Sequence, residues 1–148
     1  MDIKEKFMKK ALAQAKKAYD KLEVPVGAVI VKDGKIIASA YNQKETKYDT
    51  TKHAEILAIQ KASKKLKSWR LIDCEMYVTL EPCPMCAGAI VNARIKEVVF
   101  GAYDLSMGCI DSVTSITSLP FAAGTTVFGG VKEDECKKIL TDFFEGVR

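Results

Sequence analysis

The first part of the chain repeats apolar side chains at helical spacing: Phe7, Met8, Ala11, Leu12, Ala15, Ala18, Tyr19 and Leu22, with lysines mostly between them. Such a stripe predicts an amphipathic helix from about Asp2 to Leu22, one face on a core. The pattern then changes. Val24-Pro25-Val26-Gly27-Ala28-Val29-Ile30-Val31 and Ile36-Ile37-Ala38-Ser39-Ala40-Tyr41 are β-rich runs on either side of Lys32-Asp33-Gly34-Lys35. An Asp-Gly pair between two such runs predicts a hairpin. A polar loop follows from Asn42 to Lys52, and helical spacing returns at His53. Met76 to Leu80 reads as a short buried strand. Pro82 to Ile90 starts a third helix, with proline suited to its first turn. Val98 to Ala102 is another strand. The stretch Tyr103 to Gly124, rich in Ser, Thr and Gly, is irregular with room for one short helix. Thr125 to Phe128 reads as a last strand, and the segment from Lys132 onward as an amphipathic helix burying Cys136, Ile139, Leu140 and Phe143.

Strands separated by helices in the second half imply parallel crossovers on a mixed sheet, covered on both faces. With 148 residues the chain suits one domain, 1–148, and 48% hydrophobic with 28% charged residues is ordinary for a globular core. No apolar stretch approaches the roughly 20 residues of a membrane span. The start, MDIKEKFMKKALAQAKKAYDK, is charged, with no signal-peptide apolar run. The expectation is a cytoplasmic protein with no membrane association. The five cysteines (Cys74, Cys83, Cys86, Cys109 and Cys136) are odd in number, which favours metal or buried thiol roles over a disulfide framework. A net charge of +4 permits a polyanionic partner without demanding one.

The only histidine begins a His53-Ala54-Glu55 triplet, and thirty residues later stands Pro82-Cys83-Pro84-Met85-Cys86. Each half opens an expected helix. A Cys-x-x-Cys pair at a helix start puts two sulfurs on one edge, where free N–H groups and the helix dipole favour thiolates. One imidazole and two thiolates leave one tetrahedral zinc position open, the mark of a catalytic rather than a closed site. The two thiolates cancel the zinc charge, yet water in the open position still feels a Lewis acid and can ionise near pH 7, about. Such a nucleophile can displace an exocyclic amine from an aromatic base if a neighbouring group ferries protons, and Glu55 is the candidate carrier. Residues two apart on a helix point roughly 200° from each other, so His53 and Glu55 converge only if His53 sits in the first turn. Thr50 or Thr51 is then the expected N-cap. Taken singly, the cysteine pair also reads as a redox couple or half of a structural zinc knuckle, and a lone histidine as structural.

In this order the elements match the zinc-deaminase pattern H-x-E…P-C-x-x-C. The chain resembles the bacterial tRNA adenosine deaminases, which convert adenosine to inosine at the anticodon wobble position. The resembling pieces run from Glu23-Val24-Pro25-Val26-Gly27-Ala28 and Asn42, through His53-Ala54-Glu55-Ile56 and Tyr77 to Ala89, to Arg94-Ile95, Val98 to Ala102 and Asp142-Phe143-Phe144. The resemblance implies a cytidine-deaminase-like three-layer α/β/α sandwich around a mixed five-stranded sheet, one Zn2+ per subunit and a homodimer. It implies metal ligands His53, Cys83 and Cys86, a catalytic Glu55, and a tRNA anticodon loop as partner. It further implies that Asn42 hydrogen-bonds the target nucleotide, that Val26 and Ala54 line the base pocket, that Asp104 contacts the nucleotide backbone and that Phe144 shapes the RNA surface. On residues alone, Asn42 also reads as a turn residue, Asp104 as a loop cap and Phe144 as core.

The sequence departs from the family's pattern at Cys109-Ile110-Asp111-Ser112, at Phe121-Ala122-Ala123-Gly124, at Thr50 and Lys52, and at a C-terminus, Glu145-Gly146-Val147-Arg148, without the usual basic tail. Fewer cations weaken phosphate binding. These departures keep open a paralogue acting on a free nucleobase or nucleoside; a non-catalytic zinc module is a further alternative, against which the presence of Glu55 counts.

Overall fold

The computed structural model describes residues 2–122 and 124–146; Met1, Ala123, Val147 and Arg148, which include parts of two of the departures above, lie outside them. Helix α1 (Ile3–Asp20) leads to strands β1 (Gly27–Lys32) and β2 (Lys35–Tyr41), helix α2 (Ala54–Leu66), strand β3 (Cys74–Leu80), helix α3 (Pro84–Asn92) and strand β4 (Glu97–Ala102). A short 3-10 turn (Ile116–Ser118), strand β5 (Thr126–Phe128) and helix α4 (Glu133–Gly146) complete it.

The sheet order is β2-β1-β3-β4-β5. β1 is antiparallel to β2 and β3, while β3–β4 and β4–β5 are parallel. The expected mixed five-stranded sheet is therefore present. Asp33 and Gly34 both have positive φ, 52° and 75°, as a tight hairpin whose twist matches the strands requires. Alternation along β1 divides the core. Ala28 and Ile30 pack with Ala54, Ala58, Ala62 and Ile90 of α2 and α3, whereas Val29 and Val31 pack with Phe7, Met8 and Ala11 of α1 and Cys136 of α4. The result is an α/β/α sandwich.

Local chemistry explains the boundaries. Asp2 caps α1 by accepting from the Lys4 N–H at 2.7 Å. The helix ends at Asp20, and Leu22 takes a positive φ of 61°, so Leu22 projects 75% exposed instead of extending the apolar stripe. At Gly27 the backbone of α1 rests directly on β1: a Cβ there would strike Ala11 O and Ala15 N. The α4 expectation is corrected in three places. Only Cys136 and Phe143 are buried; Ile139 and Leu140 are half-buried, and Phe144 is 46% exposed rather than core. Phe143 takes the core side by stacking edge-on with Tyr19 of α1, which turns Phe144 outward.

Candidate active site

The carboxyl ends of β2, β3 and β4 and the amino end of β1 meet at one edge of the sheet, and the amino ends of α2 and α3 point to the same edge. Crevices at the carboxyl ends of strands are where α/β folds place ligands. Here one cavity of about 260 Å³ opens, lined among others by Val26, Asn42, His53, Ala54, Glu55, Cys83 and Asp104.

His53 itself is the N-cap of α2, with extended backbone (φ −79°, ψ 153°). This corrects the expectation that Thr50 or Thr51 fills that place. Thr51 instead turns onto Asp49, giving its N–H and Oγ1 to Oδ1 at 2.8 and 2.7 Å. Because His53 lies off the helix, the angle between residues two apart on a helix does not apply, and its ring shares the cavity with Glu55. Cys83 is likewise an extended N-cap, of α3, with Pro84 in the first helical position, and Cys86 lies one turn in, fully buried.

The His53 Nδ1 stands 3.7 Å from Cys83 Sγ and 3.5 Å from Cys86 Sγ, and the three ligand atoms lie within 4.8 Å of one another. Zinc–nitrogen and zinc–sulfur bonds of about 2.05 and 2.3 Å at tetrahedral angles put nitrogen and sulfur about 3.6 Å apart. The donor set and both distances therefore fit a zinc ion with three protein ligands. Among the described residues this is the one such cluster. Cys74, Cys109 and Cys136 are buried free thiols apart from it.

Electrostatics follow from burial. The hydrogen bond from Cys86, assisted by His53, draws the Cys83 thiol down to about 4, against burial. Cys86, bonded to that thiolate, is held as a thiol, pushed far up. The Cys83 contact raises the His53 imidazole. Glu55 is 4% exposed, and desolvation pushes its carboxyl up to about 7.

Asn42 follows β2 and is 7% exposed, with its amide fixed at both ends. Nδ2 donates to Val24 O at 3.2 Å and Oδ1 accepts from Lys44 N at 3.3 Å. Asp104 lines the cavity and also caps its own loop, its Oδ1 accepting from Ser106 N, Ser106 Oγ and Met107 N. Phe144 does not line the cavity.

Two buried acids of the lining escaped sequence reasoning. Glu23, fully buried, accepts from Glu45 N at 3.0 Å and from Thr46 N and Oγ1 at 2.6 Å, tying down the 42–52 loop. Glu81, 1% exposed, gathers the 103–112 loop. Both stand in the stretches that carry the resemblance. A charged residue bordering an apolar strand run was the available signal.

The MafB19-like deaminase model matches residues 2–148. The chain is 48% identical to the tRNA-specific adenosine deaminase of Bacillus subtilis, over 97% of this chain and 90% of that protein. It is 45% identical to that of Aquifex aeolicus, over 98% and 96%. A solved structure from work on A-to-I editing by tRNA:A34 deaminases at the wobble position of transfer RNA superposes with a TM-score of 0.88 at 42% identity, covering 91% of this chain and 99% of that one. A guanine deaminase from Bacillus subtilis shares 48% identity over 67% of this chain and 64% of its own, with a TM-score of 0.65. With the whole described length, the cytidine-deaminase-like fold and the His-Cys-Cys cluster in agreement, the chain belongs to the MafB19-like deaminases and, among them, to the tRNA-specific adenosine deaminases.

Proposed function

We propose that this protein hydrolyses the 6-amino group of adenosine at the tRNA anticodon wobble position, giving inosine and ammonia. The observation that carries the chemistry is the meeting of His53, Cys83 and Cys86 with the buried Glu55 in one cavity. The substrate assignment rests on the near-full-length relatives. His53, Cys83 and Cys86 are the ligands of one zinc ion per subunit. When bound, that ion supplies the Lewis acidity that lets water ionise near neutral pH, about 7.

Glu55 moves the protons. Its buried carboxyl takes one from the attacking water and delivers it to the ring nitrogen beside the reacting carbon, then takes the second from the added hydroxyl and hands it to the amine, which leaves as ammonia as the carbonyl of inosine forms. An extruded loop base needs an apolar slot and a few edge hydrogen bonds. Val26 and Ala54 supply the slot, and the pinned Asn42 amide supplies a polar contact. Asp104 borders the nucleotide backbone, and Phe144 offers an exposed ring on α4 to RNA outside the cavity. No helix among the described residues is long and apolar enough to cross a membrane. We place the enzyme in the cytoplasm as a homodimer, a state supported by an apolar surface of Leu57 and Ile59 on α2 and Trp69 just beyond its end.

The test is incubation with an anticodon stem-loop bearing a wobble adenosine, scored for inosine, beside free guanine, cytosine and adenine. Inosine in the stem-loop is expected. Turnover of a free base alone would move the assignment to the second reading, free guanine, which the guanine deaminase similarity favours.

A further inference from the structure

The 103–112 loop carries Asp104 and Met107 on the cavity wall, yet it forms neither helix nor strand over most of its length. Asp104 caps its first turn, and one further side chain joins its two ends. Glu81 Oε1 accepts from Asp104 N at 3.0 Å and from the Ser112 hydroxyl, while Oε2 accepts from Asp111 N at 2.8 Å and Ser112 N at 2.7 Å. These donors stand at both ends of the loop, so one carboxylate closes it. Gly108, in its middle, folds back on the same group: a Cβ there would meet the Glu81 carboxyl. The clamp also ties in the metal-side segment, since Cys109 N donates to Pro82 O at 2.9 Å.

The carboxylate is 1% exposed, and none of the ion pairs among the described residues includes it. An unpaired buried charge is costly unless donors surround it. Four donors from one loop meet that need, and both oxygens are used. An amide of the same shape would keep one acceptor and turn its NH2 group toward N–H donors on the other side.

We propose that Glu81 is a positioning residue of the deaminase, its carboxylate setting the cavity wall that Asp104 and Met107 present to the nucleotide. This rests on the deaminase reading above. Within the neighbouring sequence departure, Cys109-Ile110-Asp111, the clamp uses the Asp111 N–H alone, which a different side chain there would still supply, while Ser112 gives both its N–H and its hydroxyl.

The test compares wild type, Glu81→Gln and Ser112→Ala as zinc-loaded proteins, normalised to folded, metal-bearing chains. Steady-state kinetics are run on the stem-loop and on free guanine, with amide hydrogen exchange at Asp104, Asp111 and Ser112. Loss of hydrogen bonds to a charged group predicts a rise in KM of about tenfold or more for Glu81→Gln and a smaller rise for Ser112→Ala, with kcat less affected. Zinc content stays unchanged, and exchange at the three amides quickens. A fold-stabilising role alone would lower Tm while leaving KM per folded, loaded site unchanged; that result, or unaltered amide exchange, overturns the proposal. If Glu81→Gln does not fold, Ser112→Ala decides on the same readouts. Wild type that turns over guanine but not the stem-loop refutes the wobble assignment, and the Glu81 comparison is then read on guanine.

Discussion

Replacing Glu55 by Gln changes charge and proton capacity at nearly constant volume, in a site where the side chain is 4% exposed. Removing a general acid–base costs about two to four decades in rate, which is about 3 to 5 kcal/mol of barrier. The same substitution has an opposite effect on stability, and its size follows from the carboxyl's environment. Burial raises that group from 4.5 to about 7 in the metal-free chain. Below 4.5 the carboxyl is neutral folded or unfolded. Between 4.5 and about 7 the unfolded chain ionises while the folded one resists, so stability drains away as pH rises, reaching a loss of about 3 kcal/mol above that window at 1.36 kcal/mol per pH decade. Gln cannot ionise and avoids the loss. Metal-stripped Glu55→Gln should therefore melt about 6 to 12 °C above metal-stripped wild type at pH 8 and close to it at pH 4, since about 2 to 4 °C accompanies each kcal/mol in a chain of this size. Scanning calorimetry or dye-monitored melting at the two pH values measures it. A Tm difference independent of pH, or inosine formation by zinc-loaded Glu55→Gln within a factor of ten of wild type, refutes the assignment of roles to this carboxyl.

Three further outcomes are expected. His53→Ala and Cys86→Ala should each lower bound zinc from about one per chain towards zero, measured by elemental analysis after dialysis against a weak chelator, because two protein ligands hold the ion poorly. Gly101→Ala should destabilise by about 1 to 3 kcal/mol in urea, since its Cβ meets Cys136 Sγ, and the double variant with Cys136→Ala should recover part of the loss. Burial opposes ionisation of Glu23, but hydrogen bonds from Thr46 and Glu45 outweigh it and hold the carboxyl below its ordinary 4.5. That contribution is complete above 4.5 and disappears as pH falls through the lower folded value. Glu23→Gln should therefore flatten the acid limb of the stability–pH curve; an unchanged slope would contradict the clamp.

Much of the fold was legible because its periodicities are strong. The α1 stripe, the Asp-Gly hairpin and the strand–helix–strand alternation each report a local period, and the sheet realises all three. Boundaries were less legible where backbone geometry overrides pattern: Leu22 continues the helical spacing but its positive φ ends the helix first. In the cavity, the meeting of His53, Cys83 and Cys86 was legible because residue types and spacing of this kind carry metal chemistry. The capping of α2 was not, since Thr51 had a competing partner in Asp49 that only the folded loop exposes. Glu23 and Glu81 were missed for a related reason. Their donors come from backbone N–H groups between 22 and 31 residues away, which no local pattern encodes. Phe144 inverted its expected side because Phe143 fills the space beside Tyr19.

The close seating of α1 at Gly27 reaches further than packing. Three residues beyond the end of that helix, Glu23 is tied back to it through its own N–H on Ala18 O at 2.9 Å, and its carboxylate in turn moors the segment that leads to the histidine. The depth at which a remote helix lies on the sheet is thus relayed to the mouth of the catalytic crevice. A methyl added at Gly27 would strike the α1 backbone and force the helix off the sheet, and the strain would reach the loop that Glu23 holds. Substitutions along α1 that weaken turnover at elevated temperature while sparing metal retention would be the genetic signature of that linkage.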